Sequence, residues 1–410
     1  MQQTATFREA FRFWLKLGLI SFGGPAGQIA IMQRELVDEK KWIGQDDFLH
    51  ALNFCMLLPG PEAQQLATYI GWRLHGYRGG LAAGALFVLP SIFVLLVLSW
   101  IYAAFGSLPY IDAVLDGFKA VVVAIVVEAV IRISTKSMTG VRNWIIGVAA
   151  FTLIFAVDVP FPLIVLGAAL AGLLLLRQSG ATAEVSETAI VRRSNIFKLV
   201  PVFATLWLLP LLAIFAFIGT GGRLPEVYLF FSKAALVTFG GAYAVLAYVN
   251  QAVVSSGWIT RAQSVDGLAL AETTPGPLIM VLQFIGFMAG WNASGGDPGY
   301  AVMCALATSF VTFLPSFFFI FAGAPYVERL RSNGAIKSAL AGVSAAVVGV
   351  VLNLAIVFGS AVFVGGNGVE WFSILLGLAA FVALQIFKVD VLLVVLAGGF
   401  LGLAKHLIVG

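Results

Sequence analysis

Apolar residues in this chain come in long runs separated by short polar breaks, and the runs set the length of its elements. Thirteen runs can be drawn. They lie near 12–33, 47–72, 80–104, 114–133, 143–157 and 161–176, then 199–218, 228–249, 265–289, 299–323, 338–363, 371–387 and 389–404. Each holds roughly 15–27 residues, against about 20 for a helix that crosses a bilayer. One long polar stretch, Arg177 to Asn195, reads as an exposed linker. The pattern predicts an all-α polytopic membrane protein with about 13 transmembrane segments. Its expected divisions are a first repeat at 1–176, a cytoplasmic linker at 177–198, an extra span at 199–227 and a second repeat at 228–410.

The repeats are visible because the same helix-breaking residues occur twice, in the same order. The first copy reads Lys16-Leu17-Gly18-Leu19-Ile20-Ser21-Phe22-Gly23-Gly24, then Trp42, then Leu58-Pro59-Gly60-Pro61. The second reads Lys233-Ala234-Ala235-Leu236-Val237-Thr238-Phe239-Gly240-Gly241, then Trp258, then Thr274-Pro275-Gly276-Pro277. The offset is 217 residues at the glycine pair and 216 at Pro-Gly-Pro. A third match, Phe87-Val88-Leu89-Pro90-Ser91 with Phe313-Leu314-Pro315-Ser316, follows in both. Glycine pairs and Pro-Gly-Pro stop helices, and a membrane tolerates interrupted backbone only where it lines a cavity or is buried in protein. Interrupted segments at matching places in two halves point to the binding site of a secondary transporter.

Composition agrees with a membrane location. Hydrophobic residues make up 60% of the 410 and charged residues 11%, against about 25% charged in a soluble domain. The net charge of +4 reflects basic loops rather than a nucleic-acid partner. Cys55 and Cys304 are isolated in apolar sequence, and no cleavable signal peptide is evident at the start. His50, His75 and His406 lie far apart, and there is no Cys/His cluster or phosphate loop. Neither an enzyme nor a metal or organic cofactor is expected.

Lysine and arginine set the orientation. With the first residue inside, sixteen of the 24 fall in cytoplasmic segments, five fall outside (Arg34, Lys40, Lys41, Arg223, Lys405), and Lys16, Lys119 and Lys233 stay within spans. Basic loops favour the cytoplasm, so the expected location is a bacterial inner membrane with a cytoplasmic N-terminus. The extra span changes the parity, so the two repeats are expected to be inverted. The loop near Lys40 then faces out and the loop near Thr260 faces in.

The breaks carry the candidate chemistry. Pro59 and Gly60 end one helix, and Pro61 suits the first position of the next. The free N–H groups of that new start, with its partial positive dipole, favour an anion. Glu62, Gln64 and Gln65 follow directly. Pro275, Gly276 and Pro277 repeat the break, with Thr273, Thr274 and Gln283 nearby. Gly23, Gly24 and Gln28 belong to the first glycine break, and Gly240, Gly241 and Tyr243 to the second; these breaks are read as part of the site, with close helix packing as the alternative. Lys16 and Lys233 occupy matching positions and either flank a dianion site or snorkel to the surface. Glu62 and Glu272 are candidates for proton coupling, since burial favours a neutral carboxyl. Asp116 and Lys119 share a helical face and neutralise each other, and Glu128 has no assigned partner.

The runs Phe22-Gly23-Gly24-Pro25-Ala26-Gly27-Gln28 and Leu57-Leu58-Pro59-Gly60-Pro61-Glu62-Ala63-Gln64-Gln65 closely resemble the chromate ion transporter family in its two-domain form. Ala271-Glu272-Thr273-Thr274-Pro275-Gly276-Pro277 is similar to that family's second-half signature. The resemblance runs from Phe11 to Gly402. It implies efflux of chromate across the bacterial inner membrane, conferring chromate resistance. The expected partners are chromate, with sulfate as a chemical look-alike, and the lipid bilayer, and a homodimer is compatible with the sequence. A sulfate or related oxyanion transporter is the runner-up, ahead of a membrane-embedded chromate reductase or a scaffold.

Overall fold

A computed structural model describes residues 5–22, 24–176, 196–239, 241–324, 334–365 and 368–409. Gly23, Gly240 and most of the expected linker lie outside the described residues. The described residues form α1 (Phe7–Ile20), α2 (Gly24–Gln33, continued by a π-helical turn Arg34–Glu39), α3 (Gln45–Cys55), α4 (Glu62–Phe105), α5 (Pro109–Ser137), α6 (Val141–Val157) and α7 (Phe161–Leu175). They continue with α8 (Ile196–Phe217), α9 (Arg223–Leu236), α10 (Ala242–Ser255), α11 (Arg261–Glu272), a 3₁₀ turn (Leu278–Met280), α12 (Val281–Ser294) and α13 (Pro298–Gly323). Last come α14 (Gly334–Phe363), a short pair β1 (Val364–Gly365) and β2 (Gly368–Val369), α15 (Trp371–Gln385) and α16 (Val391–Val409). Among them α4, α8, α13, α14 and α16 are long and apolar enough to cross a membrane. The protein is an all-helical, multi-pass membrane protein.

Four runs drawn as single crossings, 12–33, 47–72, 228–249 and 265–289, are instead antiparallel helix pairs. In the first, α1 folds against the chain after α2. Phe13 meets Trp42 with ring centroids 5.8 Å apart, and Lys16 Nζ reaches Glu35 at 2.6 Å. In the second, Arg73 bonds Asp47 at 2.7 Å and Phe54 meets Tyr69 at 5.9 Å, so α3 and the start of α4 return to the same end. In the third, Phe230 packs on Tyr248 at 5.6 Å and the Arg223 guanidinium lies 4.7 Å over Trp258. In the fourth, Asn292 donates to Gln263 at 3.1 Å and Gly267 abuts Phe284. Helix length explains the difference. Arms of 10–14 residues reach about 15–21 Å, well short of the roughly 30 Å hydrocarbon core. The turns need residues that accept positive φ, supplied by Gly24 (68°), Gly60 (123°), Gly241 (90°) and Gly276 (110°).

Within α4 the chain reverses again at His75 and Gly76. Gly71 faces Gly79 and Ala83, and Gly84 faces Thr68, so residues 62–74 lie back along the longer arm. The sequence places a boundary here, between the runs 47–72 and 80–104. Two long helices then brace the hairpins: Gly18 of α1 abuts Leu86 of α4, and the Leu224 N–H of α9 donates to the Tyr300 hydroxyl of α13 at 2.8 Å. Small residues let the remaining helices approach backbone to backbone, as at Gly172 with Gly342, Gly147 with Gly349, and Gly117 with Gly398.

Candidate functional site

The four hairpin tips meet. Gly60 N–H donates to the carbonyl of Thr238 at 2.9 Å, and Gly276 N–H donates to the carbonyl of Ser21 at 2.7 Å. Gly60 matches Gly276 in the repeat and Thr238 matches Ser21. Each Pro-Gly-Pro glycine is therefore held by the other half's Gly-Gly tip, in reciprocal fashion. The accepting residues are themselves alike, since Ser21 donates its hydroxyl to Leu17 and Thr238 donates to Ala234. The third sequence match arrives at the same place. Ser91 donates to the carbonyl of Pro275, and Ser316 Oγ lies where a side chain at Gly60 would begin. Ser91 and Ser316 are site residues that sequence reasoning used only as markers of the repeat.

Around this shared backbone the side chains differ. At the first tip, α4 starts at Glu62 after Pro61 with no side-chain cap, so the N–H groups of Ala63 and Gln64 have no helical acceptor. Gln64 and Gln65 are fully buried there. Gln65 donates to Pro59 O at 2.7 Å and Gln64 to the Thr68 hydroxyl at 3.1 Å. Gln28, also fully buried, donates to the carbonyl of Gly276. The Oε1 atoms of all three glutamines have no hydrogen-bond partner among the described residues. A half-turn of an amide exchanges that oxygen for its NH₂, so polar capacity is held in reserve. The half-buried Glu62 points Oε1 toward Gly241, and Lys136 and Arg132 of α5 are the cations whose charge acts on it.

The second tip does not repeat the anion-favouring arrangement expected for it. Leu278, Ile279 and Met280 form a buried 3₁₀ turn where the first tip has Glu62, Ala63 and Gln64. The hydroxyls of Thr273 and Thr274 both turn back to Leu270 O, at 2.9 and 2.7 Å. Gln283 is committed to Ile92 O at 2.9 Å and to Ser309 at 2.7 Å. Glu272, 5% exposed, accepts the Tyr243 hydroxyl at 2.7 Å.

The structure thus brings together Gly24, Gln28, Pro59, Gly60, Pro61, Glu62, Gln64 and Gln65 with Gly241, Glu272, Pro275, Gly276 and Pro277. Lys16 and Lys233 are not among them. Lys16 is 56% exposed and paired with Glu35, and Lys233 is exposed on α9. Among the described residues no cluster of His, Cys, Asp and Glu is arranged to hold a metal.

The chromate transporter family model matches residues 8–173 and 225–403. A chromate transport protein of Pseudomonas aeruginosa is 33% identical over 351 residues, covering 84% of this chain and 79% of the relative. A chromate transport protein of Cupriavidus metallidurans is 30% identical over 358 residues, with 86% and 83% covered. An uncharacterized transporter of Methanocaldococcus jannaschii is 25% identical over 353 residues, covering 85% and 83%. No solved structure matches. With both halves matched and the reciprocal tips built from the matched residues, the chain belongs to the chromate transporter family.

Proposed function

We propose that this protein is a secondary transporter that exports chromate across the bacterial inner membrane, with the hairpin-tip junction as its substrate site. The observation that carries the reading is the reciprocal pair of bonds, Gly60 to Thr238 and Gly276 to Ser21. It makes each half's break part of the other half's, so a small rotation of one half rearranges both tips together. Chromate is a tetrahedral dianion. The uncapped start of α4, with Gln28, Gln64 and Gln65 around it, offers neutral N–H donors suited to such an anion. Glu62 and Glu272 are the carboxylates placed to take a proton when it leaves or enters.

The hairpins alter the expected topology. If none of the four crosses the bilayer, nine crossings remain: the long arm of α4, then α5 to α8 and α13 to α16. The hairpins of the first half enter from one face and those of the second from the other, which keeps the repeats inverted. Arg34, Lys40 and Lys41 then join Arg8, Arg12 and Arg73 at the cytoplasmic face, while Arg261 joins Arg223 outside. The basic imbalance becomes steeper than for thirteen crossings, which strengthens the case for a cytoplasmic N-terminus. Cysteines placed at Lys40 and Arg261 should be labelled from outside at Arg261 alone. Labelling at Lys40 would restore the full crossing at 12–33.

Moving one charge through 100 mV is worth about 2.3 kcal/mol. A dianion leaving through roughly 150 mV, negative inside, gains about 7 kcal/mol, equivalent to a gradient near 10⁵-fold. Potential alone is sufficient to drive efflux. The test is chromate flux in proteoliposomes at controlled potential and pH, with sulfate as competitor. Flux that ignores an imposed potential would remove the export reading, and sulfate outcompeting chromate would reassign the substrate.

A further inference from the structure

Outward from its tip, α11 carries a second buried carboxylate. Asp266 is 2% exposed. Tyr102, from the long arm of α4, donates its hydroxyl to Oδ2 at 2.8 Å. Lys119 Nζ of α5 stands 3.7 Å from Oδ1, and that oxygen has no hydrogen bond among the described residues. A carboxylate that served only to tie helices together would have both oxygens satisfied. Lys119 is shared, lying 2.8 Å from Asp116 and 4.0 Å from Asp112. Those two acids are more than half exposed and line a cavity of about 700 Å³.

A continuous series of exchangeable groups therefore runs from water to a buried acid. It begins at Asp112 and Asp116 in the cavity wall, passes Lys119 and ends at Asp266. Glu272 lies six residues further along α11, about 9 Å deeper by helical rise. It too is held by a tyrosine, Tyr243 at 2.7 Å. One helix of the junction thus carries two tyrosine-capped acids, the outer one reached from the cavity wall through Lys119 and the inner one at the tips. The cavity adjoins the start of α5, which is the periplasmic end in the orientation above. The charged and titratable groups around Asp266 are Tyr102 on α4, Asp112, Asp116 and Lys119 on α5, Arg261 on α11 itself, Glu370 before α15, and Lys405 and His406 on α16.

We propose that Asp266 is the loading site for a coupling proton, taken from the periplasmic cavity and passed inward along α11 toward Glu272 as chromate moves out. One proton binds the carboxylate at Asp266 and is released on the cytoplasmic side, while Lys119 keeps Asp112 and Asp116 as partners. The proposal rests on the chromate-export reading and adds its coupling ion.

The test uses the full chain in chromate-loaded vesicles held at zero potential with potassium and valinomycin, at alkaline pH, with a pH dye inside. In the wild type, chromate exit should acidify the lumen. In Asp266→Asn, chromate should leave more slowly without acidification, and its rate should no longer follow pH. Acidification per chromate equal to wild type in Asp266→Asn, alkalinisation in the wild type, or a requirement for sodium would each overturn the proposal. Chromate flux without proton movement in the wild type would remove this proposal alone, whereas absence of chromate flux would remove the export reading beneath it. Should Asp266→Asn fail to insert, Lys119→Gln and Asp266→Glu decide. Loss of the neighbouring cation should move the midpoint of the pH–flux curve to higher pH, and Asp266→Glu should keep acidification. An unmoved midpoint in Lys119→Gln would refute the assignment.

Discussion

After α3 the chain reads Pro59-Gly60-Pro61-Glu62-Ala63-Gln64-Gln65, and after α11 it reads Pro275-Gly276-Pro277-Leu278-Ile279-Met280-Val281. Both stretches turn on a positive-φ glycine whose N–H is given to the opposite half. Beyond the glycine they part. The first opens a long helix with buried amides at its start, and the second packs an apolar 3₁₀ turn into the core before α12 begins. The backbone symmetry therefore exceeds the chemical symmetry. A duplicated scaffold can hold one asymmetric site, with polar donors from the α4 tip and a tyrosine-capped acid from the α11 tip.

The largest expected effect strikes what the two tips share. A side chain at Gly276 would collide with Ser91 Oγ, and one at Gly60 would start 2.5 Å from Ser316 Oγ and 2.7 Å from Gln65. Both positions also need positive φ. Gly60→Val and Gly276→Val should each bring chromate export to background in cells with protein still in the membrane. Normal export by either variant would mean that the reciprocal tips are incidental to transport.

The next effect should fall on one tip only. Gln64→Leu combined with Gln65→Leu gives the first tip the apolar character of the second. It should weaken chromate binding about 10- to 150-fold, the loss of one strong desolvated contact of roughly 1.5–3 kcal/mol. Met280→Leu at the second tip, a volume-conserving change, should leave affinity within about twofold by the same arithmetic. Equal losses at both tips, read by equilibrium binding, would erase the asymmetry.

The smallest effect concerns the repeat-matched lysines. Lys16→Gln removes an exposed partner from Glu35, which keeps Lys40 at 3.4 Å. Both lysines are exposed and stand apart from the tips, where a charge is screened, so Lys16→Gln and Lys233→Gln should change affinity by less than about fivefold. A tenfold loss in either would return the lysines to the substrate.

How far these features were legible depends on their range. The breaks at Gly24, Gly60, Gly241 and Gly276 are local, so their places could be read from residue type alone. The fold-back at each break could not, because hydropathy scores one long helix and two half-length antiparallel helices alike. The hint lay in side chains such as Asp47 and Arg73, polar residues at both ends of one apolar run that pair only if the run doubles back. Gln28, Gln64 and Gln65 were readable as amides beside a break. The two readings of Lys16, dianion site or snorkelling side chain, could not be separated in the sequence because its partner Glu35 lies across the hairpin. Asp266 was visible only as an acid in the apolar run 265–289: Tyr102 and Lys119 come from helices far away in sequence, and only packing unites them.

The reciprocal glycine bonds also bear on how such a protein can be assembled. A chain limited to residues 1–176 would leave the Gly60 amide without its acceptor, and the Ser21 carbonyl with Gln28 alone at 3.3 Å, in the interior of the membrane protein. Each unpaired group there costs several kcal/mol. A lone half is therefore an unfinished molecule, and it would be completed by any second chain that offers the complementary tips. Fusion of the two halves makes no new contact at the junction. It raises the effective concentration of one tip at the other to the millimolar range typical of a short tether, so two separate polypeptides that meet in one membrane could build the same site at the expense of assembly yield alone.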